Sequence, residues 1–413
     1  MVTKSPQTRM LDKVSVSLAI IALLVGSASL AYVVPLGGNI DRLTRSQEDL
    51  KASLDREVQG LRTELSTERA RVQEAQKQIE AAKAEAEFLD AARKEALAGP
   101  LIMYGSMDLP DMLEIVWPGF KARYPFVGDI QYIEGFTDLL TRFQEEAARG
   151  VRTADVRVDS GVRAFSDHLK GLGLAWTPKS AGLYAQDQIV DQTLHNSWSG
   201  IGVIVYNTDL VKPADAPKSW ADLADPKWKG KIITGDPRLG GSQQNHWASI
   251  WQNLGDEKFK ALIKGVFVDN KATVIDRWGS SEYVSVLSGE HYVGTSLIND
   301  YLQQRPGTPV GIASPSDGAS LEQNFIYVHK NTPKPNLGKL FVDWFLSEEG
   351  QTLVGKTGRS PALRTLDSPS SLKNAQPGVN AMITNLDNYK DPAGWRQKFA
   401  ALFSELGIPG LPS

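Results

Sequence analysis

LGKLFVDWFLSEEGQTLVGKTGRSP, Leu337 to Pro361, contains a complete match to the pattern G-x-x-x-x-G-K-[ST] at Gly350, Gly355, Lys356 and Thr357. In nucleotide hydrolases that pattern is a loop between a buried strand and a helix, and its backbone N–H groups cradle phosphates. The flanks decide whether the match means the same here. Upstream, Leu337, Leu340, Phe341, Trp344 and Phe345 recur at helical spacing with charges between them, which predicts an amphipathic helix rather than a strand. Downstream, Gly358-Arg359-Ser360-Pro361 opens no helix, and Gly355 to Gly358 reads as a helix end and turn. Both flanks are wrong for a phosphate loop, so nucleotide hydrolysis is not expected.

Composition narrows the classes further. The 413 residues suffice for two or three domains, and 41% hydrophobic against 23% charged residues supports packed cores. A net charge of −3 gives no basic face for nucleic acid. The absence of cysteine excludes disulfides, thiolate metal sites and cysteine nucleophiles.

Three segments differ in kind. Val14 to Leu36 carries no charge over 23 residues, enough to cross a hydrocarbon core of roughly 30 Å. Lys4, Arg9 and Lys13 precede it, which places residues 1–13 in the cytoplasm. It reads as a retained single-pass anchor; a signal peptide cut after Ser29 and Ala31 is the competing reading. Residues 39–98 contain no proline and one glycine, Gly60, and are rich in Glu, Lys, Arg, Gln and Ala. Apolar residues at Ile40, Leu43, Leu50 and Leu54, then Val58, Leu61, Leu65, Val72, Ala75, Ile79, Ala82, Ala86 and Leu89, mostly alternate steps of three and four. That predicts a helical stalk with a coiled-coil seam, broken in phase between Leu54 and Val58. Gln47, Glu68 and Arg93 on the seam leave self-association and a solitary charged helix both open.

Gly99-Pro100 ends the stalk, and residues 99–413 mix strand-like runs with amphipathic helices. LIMY (101–104), VRV (156–158), GVIVY (202–206) and KIIT (231–234) read as strands. Thr137 to Arg149 and Leu337 to Phe345 read as helices. The alternation predicts parallel α/β sheets.

PKSWADLADPKWKGKI, Pro217 to Ile232, resembles a hallmark of the extracellular solute-binding proteins of ABC importers, in the branch that includes ferric-ion-binding proteins. IMYGS (102–106), RTADVRVDSG (152–161), IGVIVYNTDLV (201–211), SLINDYL (296–302) and LGKLFVDWFLSEEGQTLV (337–354) resemble further landmarks in the family's order. The resemblance covers almost all of 99–413. It implies an α/β fold of the class II periplasmic-binding-protein type: two lobes joined by hinge strands, closing on a ligand between them. It also implies an extracytoplasmic receptor that delivers solute to a permease, with ATP hydrolysed by a separate subunit.

The resemblance places candidate ligand contacts in several loops. The first loop offers Ser106 and Met107, with Asp108 beside them, and EGFTD offers Gly135 and Phe136. The second ligand loop offers Asp159 and Ser160. Gly241 and Ser242 precede a predicted helix, where backbone N–H groups and a hydroxyl can hold an anion; in the ferric-binding relatives the corresponding loop holds a phosphate. DRWGSS offers Arg277 and Trp278, and SLINDYL offers Asn299 and Tyr301; Trp198 and Trp278 are candidate flat walls. Thr273 to Ser281 and Ser314 to Gly318 are expected as loops at the cleft edge.

The relatives commonly bind iron through a histidine, a glutamate and two adjacent tyrosines. Here Met107 or Asp108, Asp159, and Tyr301 with Leu302 stand in those places. Asp159 and Tyr301 are the two that would serve iron, and Leu302 offers no lone pair. A small, anionic organic solute is therefore the expected ligand, with no cofactor, and ferric iron is the alternative. A ligand sensor or scaffold is a further alternative. No catalytic motif such as G-x-S-x-G or H-E-x-x-H occurs, and His168, His195, His246, His291 and His329 are well separated, expected as surface or cap residues. The chain is not expected to be an enzyme.

Overall fold

The computed structural model of the protein describes residues 37–410 except 136, 152–153, 276–279 and 384–388. The uncharged stretch Val14–Leu36 lies outside the described residues, and among the described residues no helix is long and apolar enough to cross a membrane. The chain divides into two compact units, Met1–Lys83 and Ala84–Ser413.

Helix α1 runs Gly37–Leu97 for 61 residues, as its composition of strong helix formers and lack of proline require. Gly99, at φ +138°, and Pro100 stop it. The second unit begins inside this helix at Ala84, ahead of the break at Gly99 that the sequence suggested. The reason is packing. Ala92 is fully buried, and Phe88, Leu89 and Ala96 pack on the cluster of Leu101, Phe120 and Phe341. The Glu95 carboxylate also accepts from the Leu337 N–H at 2.7 Å and from Asn336 Nδ2 at 2.7 Å.

The second unit holds two lobes. In the first, β1 (Leu101–Gly105) lies parallel between β2 (Ile130–Glu134) and β3 (Val156–Ser160), and α2 (Gly161–Leu169) follows β3 directly. Strand β4 (Leu194–Asn207) then leaves this lobe for the second. There β5 (Ile232–Gly235) precedes α3 (Gly241–Leu254), and β6 (Thr273–Ile275) pairs parallel to β5. Strand β7 (Val293–Leu297) leads into the short helix α4 (Ile298–Leu302), and β8 (Val310–Ala313) pairs with β4. Strand β9 (Ala319–Val328) carries the chain back. Helices α5 (Pro335–Phe345) and α6 (Glu348–Lys356) and the short β10 (Ser360–Pro361) complete the first lobe.

The strand order is β2-β1-β3-β9-β4-β7-β5-β6. Residues His195 to Ile201 of β4 pair antiparallel with β9, whereas Gly202 to Tyr206 pair antiparallel with β7. One strand thus belongs to both sheets and changes partner at Ile201–Gly202. A side chain at Gly202 could not fit: a Cβ there would lie 2.0 Å from Ser320 Oγ and 2.6 Å from His246 Nδ1.

The predicted strands and helices are present, with two differences. Thr273–Ile275 is an edge strand rather than loop, and SLINDYL is a strand end followed by one helical turn. The tryptophans of PKSWADLADPKWKGKI are core residues of the second lobe. Trp220 is fully buried, its Nε1 donates to Gly318 O at 2.7 Å, and its backbone N–H donates to Asp317. Four histidines are buried rather than superficial. Burial pushes His195 down to about 4 and His246 down to about 3, so both are neutral core groups at physiological pH.

The phosphate-loop pattern resolves into helix. Gly350 through Lys356 lie in α6, and Thr357 is its C-cap. Gly350 is required by the tight α5–α6 corner, where a Cβ would come within 2.4 Å of Trp344 O and 2.6 Å of Phe345 O. Lys356 is exposed. Gly350→Ala should therefore cost about 1–3 kcal/mol through overpacking against backbone, whereas Lys356→Ala should stay within about 0.5 kcal/mol of the parent. Denaturant unfolding measures both. A Lys356→Ala loss as large as that of Gly350→Ala, or saturable ATP binding that the variant abolishes, would contradict this reading of the segment.

Candidate functional site

The ends of β1 and β3, the crossing strands, the N-terminus of α3, α4 and the turn after α6 converge between the lobes. They enclose a small cavity of about 80 Å³. Ser106, Asp108, Trp198, Asn324 and Arg359 line it from the first lobe and the crossing strands. Gly200, Ser242, Asn299, Asp300 and Glu322 line it toward the second. A volume this small holds only a few waters.

Charge is organised around two buried arginine systems. At the end of β3, the Asp159 carboxylate is fully buried and meets Arg157 Nη2 at 2.5 Å and Arg163 Nε at 2.6 Å. Its Oδ1 also accepts from the Ser160 N–H at 2.8 Å. Arg157 pairs in turn with Asp167 at 2.8 Å, and Tyr327 donates to Asp167 at 2.5 Å. Arg163 reaches the start of α3. A Cβ on Gly241 would lie 2.5 Å from its Nη1, and Gly241 has φ +69°. Only glycine satisfies both constraints there.

The second system is Arg359, which sits in the turn opened by Gly358 at φ +74°. Its guanidinium is buried, pairs with Asp108 at 2.5 Å and with Asp111, and lies 5.8 Å from the Trp198 ring centroid. Asp300 stands nearby. Burial pushes its carboxyl up to about 7, Asp108 and Asp111 add to the rise, and Arg359 opposes it. Its Oδ2 is buried and has no hydrogen-bond partner among the described residues. Glu322, on the crossing strand β9, is also buried, and burial pushes it up to about 7 against the favourable contacts of Ser242, Arg163 and Asn245. Its Oε1 likewise lacks a hydrogen-bond partner among the described residues.

Of the residues singled out from the sequence, the structure places Ser106, Ser242 and Asn299 at the cavity. Gly241 and Asp159 stand one layer behind, acting through Arg163. Ser160 is fully buried opposite Asn324, with its hydroxyl unpaired among the described residues. Gly135 contributes backbone only, its N–H donating to Gly105 O at 3.0 Å. Phe136, Arg277 and Trp278 lie outside the described residues. Two candidates face elsewhere. Met107 is fully buried in the first lobe's core, where its carbonyl accepts from the Tyr132 hydroxyl at 2.6 Å. Tyr301 packs against the apolar cluster of Ile298, Tyr283 and Val310. The two residues named for iron are thus an aspartate committed to two arginines and a tyrosine directed at a core.

Asp300, Glu322, Asn324 and Arg359 were not singled out from the sequence. For Glu322 and Asn324 a signal existed. β9 is buried on both faces, yet Glu322-Gln323-Asn324 interrupts it with three polar residues where a central strand is normally apolar. Arg359 stood in plain view beside the misleading lysine.

A larger cavity, about 420 Å³, lies on the other side of the same strands, lined by Ser199, Leu321 and Gln323 together with Gln188, Arg364 and Lys373. Alternation along β4 and β9 puts Trp198, Gly200, Glu322 and Asn324 on one face and Ser199, Leu321 and Gln323 on the other. The smaller cavity is the candidate site because buried, incompletely paired charge converges there.

Residues 167–391 match the family model described as bacterial extracellular solute-binding protein, more than half of the chain, and the protein belongs to that family. The iron uptake protein A1 of Synechocystis is 26% identical over 255 residues, 55% of this chain and 66% of the relative. The chain spans about half to two thirds of the length of the curated relatives it matches. The substrate-binding protein of an ABC transporter from Agrobacterium tumefaciens shares the fold with TM-score 0.65 at 19% identity, covering 75% of this chain and 96% of that one. The periplasmic binding protein AfuA of Actinobacillus pleuropneumoniae, solved with fructose-6-phosphate, does so with TM-score 0.62 at 23% identity, covering 75% and 99%. These likenesses show the two-lobed periplasmic-binding fold.

The Glu322 carboxyl gives a pH signature. Folded, it keeps its proton up to about pH 7; unfolded, it releases it near its ordinary 4.5. Between those values the folded state holds more protons, so this group's contribution to stability falls as pH rises. Glu322→Gln removes the dependence. The stability of Glu322→Gln minus that of the parent should rise from pH 5 to pH 8, by on the order of 3 kcal/mol. Buried His195 and His246 act in the opposite direction at acid pH but cancel in the difference. A flat difference across that range would show Glu322 to be ordinarily ionised.

Proposed function

We propose that this protein is the receptor subunit of an ABC importer and that it binds a small polar organic solute between its lobes without transforming it. The observation that carries the proposal is a pair of carboxyls, the half-buried Asp300 and the buried Glu322, each with one buried oxygen unpartnered among the described residues beside the same cavity. Such oxygens seek donors. A solute bearing hydroxyl or amino groups satisfies them, while Asn324, Asn299, Ser106 and Ser242 pair its remaining polar atoms and Trp198 supplies an apolar wall.

This moves the solute class away from the anion read from the sequence. The N-terminus of α3 is an anion site in principle, but Glu322 already stands at it, in contact with Ser242 and Asn245. The chain's own carboxyl group occupies the place an anion would take. The commitment of Asp159 to two arginines, and the packing of Tyr301 away from the cavity, speak equally against ferric iron as the cargo.

Val14–Leu36 serves in this reading as the membrane anchor, with the binding domain on the extracytoplasmic side near a permease and its separate ATPase. Helix α1 is the spacer, and its apolar seam associates chains with one another.

Native mass spectrometry of the purified full chain tests the central claim. The parent should carry a copurified organic molecule of a few hundred daltons. Asp300→Asn should weaken its binding by about 1–3 kcal/mol, the cost of a lost buried hydrogen bond. A solute retained at parental affinity by both Asp300→Asn and Glu322→Gln would remove this cavity as its site.

A further inference from the structure

The apolar seam of α1 has two fates. From Phe88 onward it packs into the chain's own domain. Before that it does not: Leu43, Leu50, Val58, Val72 and Ile79 are between 36% and 67% exposed. The exposed part keeps heptad spacing from Val58 through Leu61, Leu65, Val72, Ala75 and Ile79 to Ala82. A straight helix repeats its face every 3.6 residues, so a seam held at 3.5 fits a partner helix under left-handed supercoiling.

The flanking charges select the partner and its direction. With Val58, Leu65, Val72 and Ile79 at the first core position of each heptad, Leu61, Glu68, Ala75 and Ala82 take the second. Glu57, Glu64 and Arg71 then fall on one flank, and Arg62, Arg69 and Lys83 on the other. In a parallel, in-register pair Glu57 faces Arg62 of the partner subunit, and Glu64 faces Arg69 of the partner subunit. An antiparallel pair would instead set the basic flank against itself. Three of the four first-position residues are β-branched, the choice that favours two strands. Gln47, at a first position nearer the N-terminus, fixes the register at some loss of stability.

We infer that two copies of this chain pair through residues 43–82 as a parallel, in-register, two-stranded coiled coil that ends where the helix turns its seam onto its own domain. This rests on the self-association named above and makes it specific; it does not depend on the solute.

The chain has no cysteine, so single cysteines report cleanly. Val58→Cys and Val72→Cys, each in the full chain in detergent, should link to a disulfide dimer on mild oxidation. Lys77→Cys, on the outer face, should link far more slowly. A self-pairing residue at both seam positions is possible only in a parallel, in-register pair, because an antiparallel pair meets itself at one point. Glu64→Arg should lower the dimer fraction, and Glu64→Arg with Arg69→Glu should restore it. Light scattering of the unoxidised parent should give twice 45.2 kDa. A dimer mass without preferential linking at Val58→Cys and Val72→Cys would overturn this inference and leave self-association standing. A monomer mass would overturn both.

Discussion

Strand β4 cannot be a member of one sheet only. Its first half is held by β9 and its second by β7, and the change of partner at Ile201–Gly202 is what makes two lobes from one folded unit. Everything functional is placed by that constraint. Where the partner changes, the sheet opens, and the side chains just before the opening face a gap instead of a packed layer. Trp198 and Gly200 on β4, and Glu322 and Asn324 on β9, are those side chains. A register shift between Asn324 and Phe325 marks the same place on the returning strand. Irregular pairing at this level aims polar groups at the cleft.

The energetics of the cleft follow from burial. Arg157, Arg163 and Arg359 are taken out of water, a cost that only close carboxylates and good geometry can offset. Asp159, Asp167, Asp108 and Asp111 supply them. Asp300, half-buried, and Glu322, buried, are the exceptions, standing beside this matched set without a full complement of donors. Each holds its proton to about 7 because ionising there is unfavourable. A solute that donates to them removes part of that cost only when the lobes are closed around it. In the proposed function, affinity for the solute would become free energy for closure in this way, since a ligand shifts a conformational equilibrium only by binding one form better.

Much of the architecture was legible in the sequence because it rests on local periodicity. The helix Gly37–Leu97, the strand-like runs and the amphipathic face of Leu337–Phe345 are set by spacing alone. The false phosphate loop was recognisable by the same means, since its flanks have the wrong period. The site was less legible. Ser106 after β1, Ser242 at the start of α3 and Asn299 in α4 stand in segments that family order places at the cleft, whereas Met107 and Tyr301 differ from them only in the side to which they point. That direction is fixed by tertiary packing: Met107 fills the core beside Tyr132, and Tyr301 fills the second lobe beside Tyr283. Arg359 gains its role from Asp108 and Asp111, some 250 positions earlier in the chain. No local pattern carries such a pairing.

The most direct test is a crystal structure of the protein with its solute bound. The account predicts the solute between Trp198 and Asn324 on one side and Ser242 and Asn299 on the other. It should donate to Asp300 or Glu322 at an ordinary hydrogen-bond distance of about 2.5–3.2 Å. A solute found instead in the larger cavity lined by Gln188, Gln323 and Arg364, with Asp300 and Glu322 still unpaired, would contradict it.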